Sequence, residues 1–180
     1  MANQKATAFI LDLLQTVVLA FAIFLIVYLF LAQPHQVKGE SMFPNFEHNE
    51  YLLTDKISYK LGQPSRGDVV IFAAPPDPTD DYIKRIIGIP GDKVMIRDNK
   101  VYLNGELLNE DYLGKEAITP PGPFMSEGEE IIIGENEYIV FGDNRTNSSD
   151  SRKWGPVQKG KIRGKAWFAY WPPSKVGLIH

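Results

Sequence analysis

The stretch Val94-Met-Ile-Arg97, Asp98-Asn99, Lys100-Val-Tyr-Leu103, Asn104-Gly105, Glu106-Leu-Leu108 decides the fold class. Three short runs with apolar and β-branched residues are parted by two-residue polar turns, and Asn-Gly is the strongest short-range hairpin signal. The reading is a strand, turn, strand, turn, strand meander. The same texture of short apolar runs broken by turn residues holds from Gln33-Pro34 onward, where helical periodicity is hard to find. Gly67-Asp-Val-Val-Ile-Phe72 reads as a buried strand, stopped by Pro75-Pro-Asp-Pro78 because adjacent prolines cannot donate to a ladder. A second hairpin is expected from Ile131–Ile133 through Gly134-Glu-Asn136 to Tyr138–Phe141, and a last strand from Gly164 to Trp171. Between the hairpins, Asp111 to Glu130 is rich in Pro, Gly and acidic residues and reads as an excursion. The expected domain is mostly β, with no internal repeat.

Toward the N-terminus the pattern changes. From Ala8 to Ala32 the clearly polar side chains are Asp12, Gln15 and Thr16, and Val17–Ala32 is unbroken apolar sequence. At ~1.5 Å per residue, about 20 helical residues cross a hydrocarbon core of roughly 30 Å. A transmembrane helix over 8–32 is therefore expected, flanked by a short segment 1–7 and followed by a β-rich domain over 33–180. A cleavable leader fits less well, because the apolar run exceeds a secretory h-region and a cut after Ala32 would place bulky Phe30 where a small residue is needed. The segment reads as an uncleaved anchor. Lys5 precedes it and Lys38, Lys56 and Lys60 follow, so charge alone does not orient it.

The 180 residues are 44% hydrophobic with 13 Pro and 15 Gly, as in a globular protein. A net charge of -3 without a basic run sets nucleic acid aside. Zero cysteines exclude disulfides, Cys-containing metal sites and thiol nucleophiles. His35, His48 and His180 have no metal-ligand spacing and are expected at the surface; no Gly-rich nucleotide motif is present, so no cofactor or metal is implied.

Three segments carry candidate chemistry. In Asp81-Tyr-Ile-Lys-Arg-Ile-Ile-Gly-Ile-Pro-Gly-Asp92 two cations sit inside an apolar strand. Period-two alternation sends Lys84 to the face of Tyr82 and Ile86, and Arg85 to the face of Ile83, Ile87 and Ile89. A strand lysine is ordinarily an edge or surface residue. If desolvated, however, its pKa falls and it becomes a proton acceptor, whereas arginine stays charged. Val37-Lys-Gly-Glu-Ser-Met-Phe-Pro-Asn-Phe46 presents Ser41 in an irregular loop; such a serine is usually a turn former, and gains weight only if a base reaches it. Phe141-Gly-Asp-Asn-Arg-Thr-Asn-Ser-Ser-Asp-Ser-Arg-Lys-Trp-Gly155 could be a solvated loop, but its charges Asp143, Arg145, Asp150 and Arg152 could also pair internally and order it beside a site. Of the tryptophans, Trp167 and Trp171 are candidates to rest on a lipid surface.

In this order, the anchor, Gly39-Glu-Ser-Met-Phe-Pro44, Gly67–Phe72, Tyr82–Asp92, Gly142-Asp-Asn-Arg145 and Asn147–Arg152 resemble the signature boxes of bacterial type I signal peptidases. The resemblance implies a β-rich catalytic domain, related to that of self-cleaving repressors, on the extracytoplasmic side of the cell membrane. It implies Ser41 as nucleophile and Lys84 as base. By the same likeness Ser148 orients the lysine, Asp150 and Arg152 form a supporting ion pair, and Asp143 and Arg145 brace the region. Met42, Phe43, Tyr82 and Ile83 fall at family pocket positions. The implied partners are signal peptides of exported preproteins, cut at Ala-x-Ala sites through an acyl-enzyme, and the bilayer. Two positions depart from the pattern: Gly39 stands where some relatives carry a serine oxyanion donor, and Thr146 stands where an acidic residue is common. A narrower maturation peptidase for pilin or conjugation proteins would share these features, and an inactive membrane-tethered binding module is the alternative from another class. Self-cleaving repressors would need a DNA-binding segment in place of the anchor, and the endoplasmic-reticulum enzymes would have histidine at position 84.

Overall fold

The computed structural model describes residues 2–26, 28, 31–75, 77–114 and 117–179. The structure opens with helix α1 (Ala2–Ile26), and Thr7–Ile26 within it has a mean hydropathy of 2.5 with none of its residues buried against the rest of the protein. Twenty helical residues match the thickness of a hydrocarbon core. The Thr16 hydroxyl donates to the Asp12 carbonyl one turn back at 2.8 Å, which satisfies it within the helix. The last residue of the segment expected to span, 8–32, overlaps the β-rich domain. Ala32 already belongs to strand β1 (Ala32–Gln36), and the Leu31 carbonyl accepts from Lys56 N–H in the folded domain. Apolar sequence alone cannot distinguish the end of a span from the first residues of a strand.

Strand β1 pairs antiparallel with β2 (Tyr51–Asp55), so residues 37–50 form one long hairpin loop. Beyond lie β3 (Val69–Ala73), β4 (Asp81–Gly88), β5 (Lys93–Arg97), β6 (Lys100–Leu103), β7 (Glu106–Leu107), β8 (Glu130–Ile132), β9 (Glu137–Phe141), β10 (Val157–Gln158), β11 (Ile162–Trp171) and β12 (Gly177–Leu178). Short helices α2 (Ser58–Leu61) and α3 (Ser151–Trp154) punctuate them. One sheet has the order β1-β2-β11-β3-β4-β9-β10, with β12 added to β11; the other has the order β7-β6-β5-β8. All named strand pairs are antiparallel, and the chain is mostly β as expected.

The meander forms as expected. Asp98 and Asn99 have φ of 52° and 57°, and Asn104 and Gly105 have 53° and 88°, the double left-handed geometry of type I′ turns. The second expected hairpin does not form: β8 pairs with β5 and β9 pairs with β4, so Gly134–Asn136 is a crossing between sheets rather than a hairpin tip. Apolar runs such as Ile131–Ile133 are compatible with either partner, and the sequence pattern carries no information on which strand is met. The buried face of the second sheet, with Val94, Ile96, Val101 and Leu103, packs against Ile87, Ile139 and Phe141 of the first. Met125, from the excursion between residues 111 and 130, is fully buried in that same layer, so this segment is part of the core.

Candidate active site

Ser41 sits in the β1–β2 loop, and the loop is pinned to the segment after β9. The Ser41 carbonyl accepts from Asn144 N–H at 3.0 Å, and the Glu40 carbonyl accepts from Asn144 Nδ2 at 3.0 Å and from Phe43 N–H at 3.1 Å. Phe46 N–H donates to the Met42 carbonyl at 2.9 Å, which closes a compact turn around the serine. Lys84 reaches the same point from β4. Its Nζ is hydrogen-bonded to Ser41 Oγ at 2.8 Å and to the Ile83 carbonyl at 2.8 Å. Both cations of this strand are buried, Lys84 at 3% exposure and Arg85 at 4%.

Burial pushes the Lys84 ammonium down from its ordinary 10.5 to about 8, against the pull of the Asp150 and Asp143 carboxylates, which would keep it charged. Those carboxylates are largely neutralised by arginines. Asp143 meets Arg85 at 2.8 and 3.0 Å, a two-pronged pair capped by the Tyr112 ring 4.2 Å from the guanidinium carbon. Asp150 meets Arg152 at 2.7 and 2.8 Å. Burial alone would raise the Asp150 carboxyl, but Arg152 and the Gly142 N–H hold it below the usual carboxylate range.

The lowered lysine pKa has a stability consequence. The folded chain binds fewer protons than the unfolded one between pH 8 and about 10.4, so stability climbs with pH across that window and the full cost is present below it. From 10.5 to about 8 the cost is on the order of 3 kcal/mol at neutral pH. Lys84→Met, uncharged and similar in length, is therefore expected to unfold at higher denaturant concentration than the wild type at pH 7, by a margin that shrinks toward pH 10. An unchanged midpoint at pH 7 would show that Lys84 is not desolvated.

The loop charges pair outward rather than with one another, Asp150 and Arg152 excepted. Asp143 goes to Arg85 of β4, and Arg145 goes to Glu110, Thr119 Oγ1 at 2.6 Å and the Gly142 carbonyl at 3.1 Å. Thr146 is exposed and takes part in no ion pair. Glu110, Tyr112 and Thr119 have no sequence signal; they enter because the excursion folds back over the loop. Ser148 is buried, but its hydroxyl makes no hydrogen bond of normal geometry, to Lys84 or to any other described group. It lies near enough to the Asp150 carboxylate to favour its ionised form and packs over Gly142.

A cleft of about 650 Å³ opens beside the Ser41–Lys84 contact, between residues 34–41 and residues 79–84. Its floor includes Val37, Leu52, Ile71 and Ile83. Along one wall runs a strand edge with no partner strand among the described residues: β4 pairs with β3 from Asp81 to Arg85, but β9 joins its other side only from Arg85 on. Tyr82 and Ile83 line this cleft. Met42 does not; at 1% exposure it belongs to the core beneath, because the turn after Ser41 directs it inward. Phe43, half exposed, faces a separate hollow with Leu113 and Ile118. His35 is not a plain surface residue either. It lines the cleft half-buried, with Nδ1 2.8 Å from Thr54 Oγ1 and Nε2 3.7 Å from Asp81 Oδ2. Burial lowers its pKa against the opposing pull of Asp81. His48 is exposed and hydrogen-bonded to Gly39, and His180 lies outside the described residues. Among the described residues no His, Asp and Glu cluster could hold a metal ion.

The arrangement is a hydroxyl in contact with an amine that loses its proton near pH 8, at the head of a cleft edged by an unpaired strand. Residues 10–171 match the family described as "Signal peptidase, peptidase S26". Among curated proteins, "Probable signal peptidase I-2" of Synechocystis sp. is 37% identical over 94% of this chain and 77% of its own length. "Signal peptidase IB" of Staphylococcus aureus strain COL is 35% identical over 92% of both. A crystal structure of a signal peptidase I from Enterococcus faecalis V583 aligns with 57% of this chain and 95% of its own, at 31% identity and a TM-score of 0.48. With nine-tenths of its length matched by these relatives, the chain belongs to the signal peptidase I family of peptidase S26.

Proposed function

We propose that this protein removes N-terminal signal peptides from exported preproteins at Ala-x-Ala sites, with Ser41 as nucleophile and Lys84 as general base. The observation that carries the reading is the 2.8 Å contact between Ser41 Oγ and a buried lysine with a pKa of about 8. Neutral Lys84 takes the Ser41 proton as Oγ attacks the scissile carbonyl carbon. The tetrahedral oxyanion receives the Ser41 N–H, which has no acceptor among the described residues. Collapse breaks the C–N bond, and the Lys84 ammonium returns the proton to the leaving amine. The resulting ester is hydrolysed by water that Lys84 deprotonates in turn.

The signal peptide adds as a strand to the open β4 edge, its backbone bonded to residues 81–84 and its small side chains directed at the apolar floor. The domain over 33–180 stands on the extracytoplasmic side, tethered by α1, so that enzyme and membrane-held substrate share one surface. Trp167, Tyr170 and Trp171 of β11, with Leu178 of β12, are substantially exposed and would rest in the membrane interface. Liposomes added to the detergent-free domain should therefore shift and enhance tryptophan emission, and Trp171→Ala should reduce the change; emission indifferent to lipid would remove this contact. The function itself is tested by incubating detergent-solubilised protein with a preprotein and sequencing the product. A new N-terminus directly after Ala-x-Ala is expected. A folded protein inert on several preproteins would overturn the reading.

A further inference from the structure

The Ser41 segment is held from Glu40 onward by Asn144 and by its own turn, but between Val37 and Glu40 it has one described tie. The last ladder residue is Val37, buried, whose N–H donates to the Glu50 carbonyl at 2.8 Å and whose carbonyl accepts from Asn49 N–H at 2.9 Å. Lys38, Gly39 and Glu40 then leave the ladder and are exposed. Gly39 has a φ of 86°, and nothing lies within 4 Å of where a β-carbon would sit. A glycine in open space is the least restrained hinge a backbone can have, and this one lies two residues before the nucleophile. The bond that closes it is Gly39 N–H to His48 Nδ1, 3.0 Å, across the neck of the same loop.

We propose that His48 is a positioning residue for the reaction: through Gly39 N–H it fixes the Lys38–Gly39 peptide, the one stretch of this entry strand with no other anchor among the described residues, and so supports from upstream the Glu40–Ser41 peptide that Asn144 and Phe43 N–H hold by its carbonyl. The inference rests on Ser41 being the nucleophile. Because a ring nitrogen that accepts cannot also carry a proton, the bond requires the neutral tautomer with hydrogen on Nε2. It also explains the departure at position 39. Gly39 has no hydroxyl to offer an oxyanion, and its backbone N–H is already committed to His48, so the Ser41 N–H is the donor this segment must hold in place.

The two functions of an imidazole at this position, accepting a hydrogen bond and filling space, are separated by substitution. His48→Asn places an amide oxygen near the position of Nδ1, while His48→Phe keeps the ring and loses the acceptor. With His48→Phe, kcat for preprotein cleavage should fall roughly three- to tenfold, the range set by one hydrogen bond, with KM unchanged. His48→Asn should restore most of that kcat. Wild-type kcat in His48→Phe, or equal loss in both variants, would overturn the proposal. The ring tautomer, read from ¹⁵N shifts of the full chain in detergent at pH 8, needs no substrate and no variant: Nδ1 should be the unprotonated nitrogen, and a proton found on it would overturn the proposal as well. If wild-type cleavage fails or survives Ser41→Ala, the dyad reading fails, whereas Ser41-dependent cleavage indifferent to His48→Phe sinks this inference alone.

Discussion

Ser41→Ala and Lys84→Ala are each expected to lower kcat/KM for preprotein cleavage by about 10⁴-fold or more, with the fold intact. Ser41→Ala removes the atom that would form the acyl bond in the proposed mechanism. In the proposed mechanism Lys84 takes the serine proton, passes it to the leaving amine and activates water, so its loss would touch every step. The effects should not add: a nucleophile without its base and a base without its nucleophile are equally idle, and the double variant should be no slower than either single one. Ser41 is half-buried in a turn held by backbone bonds, so the alanine variant keeps its structure. Progress curves at high enzyme concentration, with circular dichroism as the control for folding, provide the check.

Gly142→Ala should also be damaging, although residue 142 has no side chain and touches no substrate. A β-carbon there would overlap the Ser41 carbonyl oxygen and Ser148 Oγ, and would lie 2.7 Å from Ser148 Cβ. The backbone cannot retreat. Gly142 N–H is bonded to Asp150 at 3.0 Å and its carbonyl accepts from Arg145 at 3.1 Å, so both ends are held by the buried charge network. Relief must come from the Ser41 loop or the Ser148 segment, which separates Ser41 from Lys84 or unseats Asp150. Forcing an extra methyl into such packing costs about 1–3 kcal/mol in stability. Activity should fall by at least about 10²-fold, since a displacement near 1 Å at a reacting group has that effect. A Gly142→Ala variant of wild-type activity would show that the two loops are not in tight contact.

Much of the fold was legible because its signals are local. The Asn104-Gly105 turn, the period-two strands and the run of apolar residues near the N-terminus each declare themselves within a few residues. Pairing over longer distances was not legible: β8 chose β5 over β9, and Ala32, the expected end of the span, pairs with Asp55. At the site, Ser41 and Lys84 were marked by a loop serine and a strand lysine in an apolar setting, with family resemblance joining them. Their neighbours divided by mechanism. Asp150 and Arg152, two residues apart, pair as the resemblance implied, but Asp143 and Arg145 take partners 58 and 35 residues away, which no spacing rule contains. Met42 shows the same limit from the packing side: a large apolar residue beside a nucleophile can serve as pocket wall or core, and the direction of one turn decides. His35 was passed over because a lone histidine has no motif; its place in the cleft comes from β1 pairing with β2 beside Thr54.

The proposed dyad mechanism depends on a lysine kept neutral enough to accept a proton. The most direct test is the pH dependence of kcat/KM for preprotein cleavage between pH 6 and 10, measured under single-turnover conditions. The rate should rise with a single ionisation near pH 8, with roughly a tenth of the enzyme in the active form at pH 7. A rising limb centred at or above about 10.4 would mean that Lys84 is solvated like a free lysine, and a limb near 6.5 would assign the base to a histidine; either result contradicts Lys84 as the buried general base.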